Sequence, residues 1–354
     1  MKPIQFNMQK SKDFYDDLKK QVKAYFAEHQ KSDKGNWVLY SKTIILLSVW
    51  IALYLCILFV AKSTLAVVWF YVAFGLVGAL IGFNVMHDGA HGSYSQKKWL
   101  NTTMWYTMNI LGSEVFLWQV QHNILHHTYT NIEWWDDDID SRPVFRFHPE
   151  QKHKWFHKYQ HIYFLFFYGL STIAKMFFQD FKRYFTTKVG QFAYKPLSLT
   201  KHIIFWCTKI CMFALYIFVP MYFIWVWNAL LWVFIMYFFM WILLAVIFQL
   251  AHVLDETAMI SHVDGKVDEN WMVHELATTA NFSMSSKFWT WLLGGLNFQV
   301  EHHLFPQISH VHYPELAKIV QKVCQQYGIP YHTYATIGSA FVSHVRYIKK
   351  MGRA

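Results

Sequence analysis

Four long stretches of this sequence carry almost no charge, and a soluble fold of this size has no room to hide them all. They cover residues 43–61, 65–86, 203–219 and 222–251. Each is long enough to cross a bilayer as a helix, because about 20 apolar residues span the hydrocarbon core. The first two are parted only by Lys62-Ser63-Thr64 and the last two at Pro220, so they pair into two hairpins. The composition agrees: 55% of the 354 residues are hydrophobic and only 15% are charged, too apolar for an ordinary soluble domain. The expected fold class is an all-α integral membrane protein, with four transmembrane helices in two hairpins and a helical cap. The weaker apolar stretches, 104–118 and 161–178, are shorter or interrupted and read as buried or interfacial helices.

An even number of spans puts residues 1–42, the loop 87–202 and the segment from His252 onward on one side. Lysine decides which side. Lys10, Lys12, Lys19, Lys20, Lys23, Lys31, Lys34 and Lys42 precede the first span, and Lys182, Arg183, Lys188, Lys195 and Lys201 precede the third, while the opposite turns offer little beyond Lys62. Cytoplasmic loops collect Lys and Arg, so both termini and the cap are expected in the cytoplasm. The same placement explains the formal charge of +10 without nucleic acid as a partner. The chain then divides into a cytoplasmic amphipathic segment 1–42, a membrane domain 43–314 and a cytoplasmic tail 315–354. Phe14, Tyr15, Leu18, Val22 and Phe26 recur at helical spacing in the first of these, and nothing there resembles the apolar core of a secretory signal. Cys56, Cys207, Cys211 and Cys324 form no metal-type pair and read as small packing residues.

The histidines carry the chemistry. His87 and His91 stand four apart where the second span ends, so a continuing helix presents both imidazoles on one face. His122 and His126 repeat that step, with His127 adjacent, and His302 and His303 form a third group. His252 marks the exit of the fourth span. A single such pair at an interface is more often a packing or headgroup feature than a metal site. Four groups falling on one membrane face, under a topology derived without them, point to metal. Eight imidazoles exceed what one tetrahedral ion takes and suit two ions with about four nitrogens each. Imidazole accepts zinc, copper, iron or nickel, so the ligands do not name the metal. The setting narrows it: a site against the bilayer meets apolar chains that offer only C–H bonds, which calls for a redox metal with O2, hence iron.

At these residues the sequence resembles the membrane fatty acid desaturases, from about Trp69 to Pro314. Their three boxes read here as His87-Asp88-Gly89-Ala90-His91, His122-Asn123-Ile124-Leu125-His126-His127 and Gln299-Val300-Glu301-His302-His303. Glutamine at the head of the third box resembles the front-end subgroup, which adds a double bond between an existing one and the carboxyl end. The resemblance implies two iron ions held by His87, His91, His122, His126, His127, His252, His302 and His303, with O2 as co-substrate and a fatty acyl-CoA or acyl lipid as substrate. Gln299 is then either a weak or water-mediated ligand or a group that supports one. Many eukaryotic relatives carry a fused haem domain marked by His-Pro-Gly-Gly. That motif is missing here, so the expected electron source is a separate ferredoxin or b-type cytochrome, and the expected setting a bacterial inner membrane.

Metal-bound histidines usually donate their second N–H to an acceptor, and Asn131, Asp136, Asp137, Asp138 and Asp140 follow the second box. For Asp136 and Asp137 a supporting role and a solvated acidic loop stay equally open. For Asp138 and Asp140 the family pattern implies support, and Asn131 is a further candidate for it. A hydroxylase or sphingolipid desaturase of the same superfamily is the nearest alternative, since one scaffold can serve several outcomes. A histidine-rich metal transporter or sensor is the alternative without catalysis, but it would call for polar groups inside the bilayer, of which the spans show almost none.

Overall fold

The computed structural model describes residues 3–139 and 142–354 and is almost wholly helical. An N-terminal helix α1 (Lys12–Glu28) precedes the four long apolar helices: α2 (Trp37–Phe59), α3 (Thr64–His91), α6 (Leu199–Phe223) and α7 (Val226–His252). Between the hairpins lie α4 (Val115–Gln119) and α5 (Gln160–Ala174). After them come α8 (Trp271–Thr278), α9 (Gln299–Leu304), α10 (Tyr313–Tyr327) and α11 (Ile337–Met351). A bent pair, Trp155–Ser171 with Lys175–Thr186 at 47°, also passes the test of length and composition, so the count is four spans, or five if that pair is one.

Local chemistry sets the span ends. Asn36, Ser63 and Ser198 cap α2, α3 and α6, each accepting a backbone N–H from the first turn. The first span therefore starts six residues before the expected Thr43 and takes Lys42 inside it. Pro220 does not end the third span as expected. A wide turn over Ala214–Phe218 shifts the register so that Pro220 falls in the first turn of the next segment, where its missing N–H costs nothing. The helix runs on to Phe223.

The hairpins meet through α3 and α7. Gly75 permits the approach, since a Cβ there would collide with the Met236 carbonyl, and small residues serve this purpose between membrane helices. Outward faces carry Ile44, Leu65, Trp69 and Trp227, all exposed, as suits a lipid-facing surface. Two lysines are buried within the spans. Lys42 Nζ donates to Asn84 Oδ1 and to the Trp291 carbonyl, each at 2.7 Å, tying the first hairpin to the segment before α9. Lys209 Nζ pairs with Asp180 at 2.7 Å and donates to the Gly112 and Met176 carbonyls. The spans are thus less free of polar groups than the sequence suggests, although both ammonium groups are fully engaged by protein atoms.

The two end segments pack together. Phe14, Leu18 and Val22 of α1 are buried against Leu316, Val320 and Val323 of α10, so the amphipathic helix covers the cap. A parallel pairing of Ala280–Phe282 with His332–Tyr334 ties the chain before α9 to the segment before α11.

Candidate metal centre

Each histidine group is delivered by a helix end. α3 continues past Ile81 through a wide turn, Gly82–Met86, into the single turn His87–His91. Asp88, between the two histidines, accepts from Ser309 Oγ at 2.8 Å and lies 3.0 Å from His310 Nδ1. That contact locks the end of α3 to the segment after α9. The second group rides on another wide turn, Val120–His126, which follows α4. In an α-helix, residues five apart point about 140° away from each other. A turn closed by i to i+5 bonding brings them nearer to alignment, and His127 Nε2 lies 3.3 Å from His122 Nε2. α7 ends at His252, and α9 carries His302 and His303.

All eight expected histidines come together. Their ligand atoms form three overlapping groups, each within 4.8 Å: His87, His91, His122 and His302; His126, His252 and His303; His127, His302 and His303. Six ring nitrogens here are buried and have no hydrogen-bond partner among the described residues: His91 Nε2, His126 Nε2, His127 Nδ1, His252 Nε2, His302 Nε2 and His303 Nε2. Leaving so many buried polar atoms unpaired is costly unless something else binds them.

On five of the eight rings Nδ1 is occupied. His122 Nδ1 lies 2.7 Å from Asp138 Oδ2, His126 Nδ1 lies 3.0 Å from both Asp136 oxygens, and His303 Nδ1 lies 2.8 Å from Glu275 Oε2. A carboxylate accepts, so the proton sits on Nδ1 and the Nε2 lone pair faces the cluster. His252 Nδ1 donates to the Thr278 carbonyl at 3.3 Å, and His302 Nδ1 lies 3.2 Å from the Tyr313 hydroxyl. Burial, and after it the neighbouring imidazoles, press the pKa of His122, His127, His302 and His303 well below its ordinary value. Neutral rings with free lone pairs are the form that binds a cation. Burial also pulls His126 down, but the Asp136 carboxylate outweighs it and the net shift is upward.

The other expected polar residues divide. Asp136 touches His126, whereas Asp137 pairs with Arg183 at 2.6 Å and braces the loop instead. Asn131, at φ 57°, sends its amide to the carbonyls of His252, Ala258 and Thr278. It therefore fixes the backbone around His252 without touching an imidazole. Gln299 is buried beside His302 in the wall of a cavity of about 390 Å³. Asp140 lies outside the described residues. Glu275 and Tyr313 were not expected from the sequence. The one available signal was Glu275 itself, a charge on an otherwise apolar helical stretch.

The cavity reaches His87, His122 and His302 and runs between α3 and α7 past Phe83, Met86, Leu244 and Phe248. A histidine cluster at the head of an apolar pocket invites comparison with known proteins, and the model of the family described as "Fatty acid desaturase" matches residues 63–335.

The chain belongs to the fatty acid desaturase family.

It is a membrane oxidoreductase of that family, with relatives among front-end desaturases. An acyl-lipid (8-3)-desaturase of Physcomitrium patens is 33% identical over 97% of this chain and 72% of its own length. An sn-1 linoleoyl-lipid 6-desaturase of Synechocystis sp. is 32% identical over 95% of each chain. A probable Delta(5) fatty acid desaturase of Dictyostelium discoideum is 33% identical over 98% of this chain and 77% of its own. For a fatty acid desaturase the histidine cluster and the adjoining apolar cavity are the parts that bear on its reaction.

Proposed function

We propose that the eight histidines hold two iron ions and that the protein inserts a double bond on the carboxyl side of one already present in a membrane acyl lipid. The observation that carries this reading is the convergence of eight histidines from four separate segments into overlapping groups, five of their Nε2 atoms unpartnered among the described residues, beside an apolar cavity that His87, His122 and His302 line. The donor set fits the metal: neutral imidazoles oriented by carboxylates suit iron, and the C–H bonds of the substrate require a redox ion. When bound, the two irons would supply, with O2, two external electrons and two protons, the oxidising power that takes two hydrogens from neighbouring methylenes, both oxygen atoms leaving as water.

The protein's own groups position and exclude. Asp136, Asp138 and Glu275 hold His126, His122 and His303 by their Nδ1 protons, so the rings cannot turn away. Phe83, Met86, Leu244 and Phe248 keep water from the acyl chain and hold it beside the histidines. Gln299 supports the cluster through its amide or through water, since a neutral amide is a poor ligand beside imidazole. Glutamine at the head of the third box and the names of the relatives support the carboxyl-side position and a lipid-linked substrate. Electrons come from a ferredoxin or b-type cytochrome. The lysine distribution supports a cytoplasmic position for 1–42, 87–202 and the region after His252, with 315–354 as the tail.

The test is gas chromatography of total fatty acids from cells expressing the wild type or His126→Ala and fed linoleate. A new double bond on the carboxyl side, lost in the variant, is the expected result. Folded, iron-loaded protein that forms no alkene with a competent donor would overturn the assignment, and a hydroxylated product would select a hydroxylase.

A further inference from the structure

The cavity changes chemistry along its length. One stretch is lined by Gly78, Leu111, Met240 and Leu244, and the other by Gln121, Asp137, Asp138, Arg142 and Lys175. Most charges on the polar stretch are matched by protein: Asp138 by His122, Asp137 by Arg183, and Arg142 by Glu133 at 3.1 Å. Lys175 is different. It is 6% exposed, and its ammonium donates at 3.1 Å to Gln121 Oε1, an oxygen that also accepts from Arg183 Nη1 at 2.7 Å. The Trp241 ring lies 5.8 Å away, and Asp138, Asp180 and Asp137 act on the ammonium through space without a direct ion pair to it among the described residues.

A buried ammonium with a shared amide oxygen as its hydrogen-bonding partner is poorly compensated. It has two further N–H donors to offer. Its backbone setting is also unusual, because Lys175 opens the wide turn Lys175–Gln179 that follows α5. Insertions of this kind gather at functional sites, where they re-aim a side chain.

We propose that Lys175 anchors the carboxyl end of the acyl substrate, its ammonium taking a carbonyl or carboxylate oxygen. The chain then runs past His87, His122 and His302, and its methyl end lies between Gly78, Leu111, Met240 and Leu244. This rests on the desaturase reading above and deepens it. With the carboxyl end fixed, the span from Lys175 to the imidazoles decides which methylene pair is presented, so the protein counts from the carboxyl carbon.

The test compares iron-loaded wild type with K175M and K175R. Equilibrium binding of linoleic acid and of methyl linoleate is measured beside KM and the positions of the new double bonds. K175M should weaken binding and raise KM on the order of tenfold, the worth of a charge-assisted hydrogen bond, with iron content unchanged and products spread over neighbouring positions. Weakening for the acid alone identifies a carboxylate, and weakening for acid and ester identifies the carbonyl; either supports the anchor. Wild-type affinity for both probes and a wild-type product pattern in K175M overturn it. Should K175M lose iron, K175R decides: it keeps the charge on a longer arm, so affinity is retained and the double bond moves, whereas an unmoved product overturns the anchor. A wild type that forms no alkene at all fails the functional reading instead.

Discussion

His126, His252 and His303 are fully enclosed at 0% exposure and lean on Asp136, the Thr278 carbonyl and Glu275. Among His87, His91, His122 and His302 one ring, that of His122, rests on a carboxyl group, Asp138, and three of the four line the cavity. The same ligand chemistry is therefore mounted in two ways. The enclosed group is held by carboxyl groups on two of its three rings and is shielded from the substrate space. The cavity group trades that bracing for access, and the neutral Tyr313 hydroxyl is what steadies His302. Conserving geometry and admitting substrate are opposed demands, and the centre divides them between its two sides.

The largest effect that tests this division is expected from His126→Ala, which removes a ligand from the braced side. Metal analysis should show less iron per chain, and alkene formation should disappear. Next comes Asp136→Asn against Tyr313→Phe. Loss of a carboxylate that orients a ligand costs about 10- to 100-fold in metal affinity, and loss of the hydroxyl should cost clearly less. Equal losses in metal titrations would break the comparison. Third, stepwise chelation followed by iron assay should release iron first from the cavity side, giving a plateau near one ion per chain, and a single smooth loss would argue against two unequal sites. The smallest effect belongs to Asp137→Asn, which loses the ion pair with Arg183. Iron content should hold while thermal unfolding shows a loss of about 1 kcal/mol.

Much of this arrangement is legible in the sequence because it repeats or runs long. The spans announce themselves as uncharged stretches, and the first two boxes as histidines four apart, the first of them at a span end. His252 follows from the end of the last span. What supports the histidines is harder to read. Asp136, Asp137 and Asp138 are neighbours in an irregular loop, where no period says which way each side chain points. The structure sends Asp136 to His126, Asp137 to Arg183 and Asp138 to His122. Glu275 and Tyr313 lie 28 and 11 residues from the histidines they touch, with no spacing rule to connect them. The wide turns are register shifts without a compositional mark, so neither the passage of the third span through Pro220 nor the inward turn of Lys175 could be anticipated.

Each of the three histidine groupings includes His302 or His303 of α9. During synthesis, no grouping is complete until the ribosome has passed residue 303, by which time all four spans have emerged. On the proposed two-metal reading the centre would be completed only after insertion into the bilayer, and a chain stalled or cleaved before α9 would reach the membrane without a finished centre. Were the centre to hold iron as proposed, metal uptake would be a late step in the protein's biogenesis.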